Sequence, residues 1–245
     1  MIHSLPPNRM KQLLALTKPN FNYLYEVLNA LCMNSSSKKF RKYEEIINST
    51  SHGVGILLAI AATILLVIRG AMHGTAWHIV TYSIFGVGLI NLYTASTLFH
   101  SAINPRIKFN LNKFDHSSIY ILIAATYTPF ALLSVKGWLG WTVFGLVWGM
   151  AIAGVVFKLW FYSVEYRSLS AWLYVAMGWI GIIAVVPIIQ NTPNLSLWFL
   201  LAGCLAYSTS VIFYLKDHYP FVHGIFHLFI LLGSACHFFA LYFLI

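Results

Sequence analysis

Charge is what this sequence has least of. Only 9% of its 245 residues are charged and 59% are hydrophobic, against about 25% and about 45–50% in a typical soluble domain. So little charge cannot cover the surface of a water-soluble protein of this size. A disordered chain, a nucleic-acid-binding module and an ordinary cytosolic enzyme are therefore excluded. Acids are the scarcest charges, six against fifteen Lys and Arg. There are three cysteines, Cys32, Cys204 and Cys236. They are scattered and odd in number, with no CxxC pair and no disulfide framework. No apolar run early in the chain has the form of a cleavable signal. A two-residue alternation is also missing, which argues against transmembrane strands.

What is present is a series of long charge-free runs, at 46–68, 70–105, 116–135, 137–157, 168–215 and 218–245. About 20 apolar residues suffice for one helical span. The second run holds one span, near 77–101. The fifth is too long for one and is interrupted by Gln190-Asn191-Thr192-Pro193-Asn194, a turn-forming cluster; it holds two, near 171–189 and 196–215. The expected fold is an all-α membrane bundle of seven transmembrane helices over residues 46–245, preceded by a basic tail over 1–45. Leu13, Leu16, Leu24 and Leu28 in that tail suit either a helix lying on the membrane or a solvated segment. With the N-terminus in the cytoplasm, 13 of the 15 basic residues fall on one side, and only Arg69 and Lys136 on the other. The positive-inside rule then predicts the N-terminus inside and the C-terminus outside, opposite to a G-protein-coupled receptor.

Ten histidines outnumber the six acids. In the predicted topology Ser96 and His100 close the second span, Asp115 opens the third, and His223 and His227 open the seventh, all at the cytoplasmic end. Residues four apart share a helical face, so His223 and His227 can hold one ion from one wall, and Ser96 and His100 also face one way. Three neutral imidazoles suit a borderline cation such as Zn²⁺ and leave a fourth position for water, whose proton a nearby carboxylate can accept. The H-x₃-H spacing alone is weak, because ten histidines produce such pairs by chance. Each residue also has a structural alternative: interfacial histidines, and an N-cap role for Asp115. Convergence of the three clusters at one depth favours a site.

Several segments carry a resemblance: Glu44-Glu45 with Asn48 and Ser51-His52-Gly53; Ser96-x₃-His100; Phe114-Asp115-His116-Ser-Ser-Ile-Tyr; Thr126-Tyr127-Thr128-Pro129; and His223-x₃-His227 followed by Gly233-Ser234-x₂-His237-Phe238. From about Glu44 onward the chain resembles the haemolysin III family, the bacterial branch of the progestin and adipoQ receptor (adiponectin receptor-like) superfamily. The resemblance implies seven helices, the N-terminus inside, and zinc near the cytoplasmic leaflet held by His100, His223 and His227. It also implies that Asp115 binds or activates the zinc water, with Ser96 behind it. Glu45, Asn48 and His52 match family positions, as either site neighbours or an interfacial cap and a packing histidine. His237, ten residues beyond His227, lies about 15 Å along the helix and is not expected to reach the same ion. His73, His78, His116 and His218 read as loop or helix-end residues, and His3 lies in the tail.

Pro129 and Pro187 are expected to kink spans, and Gly86, Gly88, Gly145, Gly149 and Gly154 to permit close helix packing. Four functions compete. The first is a zinc-dependent membrane hydrolase of a lipid-like amide or ester, with Asp115 as general base. The second is a membrane sensor or homeostasis protein with structural zinc. The third is a cytolysin, which so apolar a chain argues against, because a secreted pore former needs a water-soluble state. The fourth is a transporter, for which no paired broken helices are evident. The expected location is a bacterial inner membrane, with membrane lipids and a lipid-like substrate as partners and no nucleic acid.

Overall fold

The computed structural model describes residues 35–161, 166–217 and 219–245. Its α-helices are α1 (Ser35–His73), α2 (Ala76–Ser101), α3 (Pro105–Pro129), α4 (Gly137–Trp160), α5 (Arg167–Gly178), α6 (Val185–Asn191), α7 (Asn194–Leu215) and α8 (Val222–Tyr242). No strand occurs among the described residues. Seven stretches are long and apolar enough to cross a membrane: Phe40–His73, Ala76–Ser101, Pro105–Val135, Gly137–Trp160, Arg167–Asn191, Asn194–Leu215 and Val222–Tyr242. The predicted seven spans are all there. The amphipathic stretch of the tail, His3 and His218 lie outside the described residues.

Sequential spans pack as neighbours, α1 on α2, α2 on α3 and α3 on α4, while α8 packs on α7 and also returns to α1. The first and last spans therefore touch. A core of Tyr82, Phe85, Leu89 and Tyr93 from α2, Leu66 from α1 and Ile230 and Leu241 from α8 fills their junction. Without a hydrophobic drive between helices in lipid, close approach depends on small residues. Gly86 abuts Thr63 of α1, and a Cβ at Gly88 would lie 2.6 Å from that of Ala125. In α4 the expected glycine seam is shorter than predicted. Gly154 faces the Tyr120 ring, whereas Gly145 and Gly149 have open space beside them.

Two spans are irregular. The third passes after Pro129 into a π-helical segment, Phe130–Val135. The fifth consists of α5 and α6 joined by the 3₁₀ segment Ile180–Ala184. Pro187 follows that break, and the carbonyl its missing N–H leaves free, that of Ile183, lies inside the 3₁₀ segment. The proline itself sits in the first turn of α6, where a missing N–H is tolerated. A broken helix in lipid must find partners for the backbone groups it frees. Tyr127 supplies both: its hydroxyl donates to the Gly178 carbonyl at 2.6 Å and accepts from the Gly181 amide at 2.8 Å. Asn191 Nδ2 donates to the Ser134 carbonyl at 3.0 Å, tying the far end of the same span to the π segment. The third and fifth spans are thus stitched at two depths. Between them and the sixth and seventh spans lies a cavity of about 680 Å³.

Candidate metal centre

Segments of three helices build one site. α2 terminates just after His100, in its last turn, with Ser96 one turn earlier on the same face; both are buried. α8 begins at Val222, after Phe221, whose φ of 59° is unusual for a bulky residue. The Phe221 amide donates to Glu44 Oε1 at 2.6 Å, and its ring meets Phe40 edge-on at 4.9 Å. α1 therefore fixes the first turn of α8, which carries His223, and the next turn carries His227.

The imidazoles of His100, His223 and His227 converge. Their ring centroids are 5.1 Å apart for His100–His223, 4.9 Å for His100–His227 and 4.8 Å for His223–His227. One nitrogen from each lies within 4.8 Å of the others, so the trio can hold a metal ion. His100 and His227 are buried and His223 half-buried. In all three, Nδ1 faces an oxygen. His100 Nδ1 lies 2.7 Å from Glu45 Oε2, whose second oxygen accepts from Lys108 Nζ at 2.7 Å. His227 Nδ1 lies 3.2 Å from the Ser51 hydroxyl. His223 Nδ1 is 3.8 Å from Asp217 Oδ2, which also pairs with Arg167. Burial works against the charge on Asp217, but His223 and Arg167 together hold its carboxyl below the usual carboxylate range.

The residues fit a cation. Nε2 of His100 and of His227 is buried with no hydrogen-bond partner among the described residues, and buried polar atoms without partners are rare and costly. Nδ1–oxygen contacts of this kind orient metal-binding histidines and set their tautomer. Replacing Glu45 by alanine is therefore expected to weaken divalent-metal affinity about 10–100-fold, read by competition with a chromogenic chelator. Glu45→Gln, which keeps an acceptor, should fall between; equal affinity in all three proteins would remove Glu45 from the site.

The placement of Asp115 corrects the sequence reading. α3 does not begin there. It begins at Pro105, capped by Asn104, whose side chain accepts from the amides of Arg106 and Ile107 at 2.9 and 3.3 Å. Asp115 is thus inside the helix and caps nothing. Arg106, Lys108 and Lys113 had hidden those first turns, because long basic side chains can lie along a span and keep their charge at its end. Asp115 lies outside the three-histidine group. It lines the cavity beside them, and Ser96 lines the same cavity.

Two neighbours carry more weight than the sequence reading gave them. Glu45 touches His100 directly, and the buried His52 ring stacks on His227 at 3.7 Å, 12° from parallel. Their signal was available: Glu45, Asn48 and His52 are spaced i, i+3, i+7, one face of α1. His116 is not a loop or helix-end residue but lies within the third span, on the cavity wall. His237 is apart from the trio, as predicted. His78 does sit at a helix end, its Nδ1 accepting from the Thr75 amide at 3.0 Å.

Seven spans with histidines from the second and the last gathered over an apolar cavity define a class of polytopic membrane protein with an intramembrane metal-competent centre. The model of the family described as "Haemolysin-III related" matches residues 40–238. The chain is 43% identical over 200 residues to "Hemolysin-3" of Bacillus cereus, covering 82% of this chain and 91% of that one. It is 45% identical over 200 residues to "Hemolysin-3 homolog" of Bacillus subtilis (strain 168), covering 82% and 93%. Human "Monocyte to macrophage differentiation factor" is 30% identical over 206 residues, covering 82% and 84%. The chain belongs to the haemolysin-III related family.

Proposed function

We propose that this protein is a zinc-dependent hydrolase of a lipid-like amide or ester, resident in a bacterial plasma membrane with its N-terminus in the cytoplasm. One observation carries the reading: a single cavity of about 680 Å³ has mostly aliphatic and aromatic walls, and reaches Ser96, Asp115 and His223 at one end. Such a volume suits a ligand pocket, and its walls suit hydrocarbon. His100, His223 and His227 would hold the ion. When bound, Zn²⁺ lowers the pKa of water and polarises a carbonyl oxygen. The Asp115 carboxylate takes the proton from the attacking water and delivers it to the departing nitrogen or oxygen. Ser96 donates a hydrogen bond that holds this carboxylate in place. The apolar walls keep the acyl chain in register and exclude further water.

A second reading has support of its own. Ligands from α2 and α8, backed by Glu45 and Ser51 of α1, join three helices, as a structural ion would. Purified protein, stripped and reloaded with zinc, separates the two on a panel of N-acyl and O-acyl lipids. The hydrolase reading expects zinc-dependent release of fatty acid. Zinc that raises the melting temperature while no lipid is cleaved would leave only the structural role.

A further inference from the structure

We propose that His237, with Tyr207 and Cys204, forms a second polar subsite in the cavity that receives a hydroxyl part-way along the ligand's hydrocarbon chain. The preferred ligands are then mid-chain-oxygenated acyl lipids. The inference rests on the reading above that the cavity holds an acyl chain.

His237 is 2% exposed, its ring lines the cavity, and its Nδ1 is buried with no hydrogen-bond partner among the described residues. It belongs to none of the machinery described so far. Around it the cavity wall is apolar, with Leu200, Leu201 and Ile230. A phenyl ring would fill the same space without leaving a nitrogen unsatisfied at membrane depth, so packing alone does not explain an imidazole there. The surrounding helices are shaped to admit it. A Cβ at Gly203 of α7 would lie 2.7 Å from the His237 ring, and one at Gly233 of α8 would lie 2.5 Å from the Tyr207 ring. Each helix thus offers a glycine to the other's polar aromatic residue. The two rings sit 5.2 Å apart. Ser234, one turn before His237, is hydrogen-bonded by the Tyr207 hydroxyl at 2.8 Å and the Tyr93 hydroxyl at 2.6 Å. Cys204, next to Gly203, also lines the cavity.

Spacing gives the ligand's chemistry. Ten residues of helix separate His227 from His237, about 15 Å, which an extended hydrocarbon chain covers in about a dozen carbons. A chain whose carbonyl lies at the three histidines would bring its middle carbons to the His237 ring on the cavity wall, where the imidazole can pair with a hydroxyl.

Displacement of a bound fluorescent fatty acid from the full-length protein in detergent tests this with octadecanoic acid and its 12-hydroxy and 2-hydroxy derivatives. The wild type should bind the 12-hydroxy acid roughly 3–10-fold more tightly than the plain acid, the value of one added hydrogen bond. The 2-hydroxy acid, with its oxygen at the wrong end, should show no gain. His237→Phe should abolish the preference and keep the affinity for the plain acid. Equal binding of the plain and 12-hydroxy acids by the wild type, an equal gain from the 2-hydroxy acid, or a preference that survives His237→Phe would overturn the subsite. If no acid displaces the probe, the acyl-chain reading of the cavity fails, and this inference with it.

Discussion

After chelation and reloading, the wild-type protein is expected to bind about one zinc ion per chain, whereas His100→Ala and His227→Ala bind almost none. Both imidazoles are buried and present an Nε2 that no group among the described residues satisfies. Removing either leaves two nitrogens, too few for a closed site, and water cannot easily substitute in a wall this apolar. The half-buried His223 should behave more gradually, since a solvent oxygen can approach its position. Elemental analysis of purified proteins measures the occupancy. Thermal melting supplies a second readout, because a ligand at 100 times its dissociation constant stabilises the folded state by about 2.7 kcal/mol. Zinc should raise the wild-type midpoint and leave both variants unmoved. A His227→Ala protein that is folded and fully loaded would refute the assignment.

Asp115→Asn is expected to lower the rate of lipid cleavage by about 10²–10⁴, the range of a general base, while zinc content stays at the wild-type level. The separation follows from placement. Asp115 lines the cavity but is not one of the three groups whose nitrogens converge. Ser96→Ala should have a smaller effect of the same kind, because it loosens the carboxylate without removing it. If Asp115→Asn instead loses its metal, the carboxylate is a ligand and the base must be sought elsewhere on the cavity wall.

The spans were legible in the sequence because hydrocarbon imposes a simple length rule on uncharged runs. The same rule misplaced the start of α3, where Arg106, Lys108 and Lys113 occupy helical turns. It was also silent on the broken fifth span. Pro187 marked that span for a kink, but the Tyr127 hydroxyl that reaches Gly178 and Gly181 from another helix is a tertiary partnership without local signature. The histidine trio was legible because i, i+4 spacing and predicted depth are both one-dimensional. Glu45 was legible only as a site neighbour or a cap; its direct contact with His100, 55 residues away, was not, because only the return of α1 against α2 brings them to 2.7 Å. Glycines divide the same way. Gly86 and Gly154 meet partners, whereas Gly145 and Gly149 look alike in sequence and meet none among the described residues.

The Glu44–Phe221 and Ser51–His227 contacts have a bearing on biosynthesis. A polypeptide emerges from the ribosome N-terminus first, so Glu45, Ser51 and His100 enter the membrane well before His223 and His227. For most of translation the half-site contributed by α1 and α2 has no counterpart. α8 supplies two of the three histidines, and it docks against α1, which is made long before it. A trio of imidazoles able to hold a metal ion therefore exists only once α8 has docked beside α1 and α2.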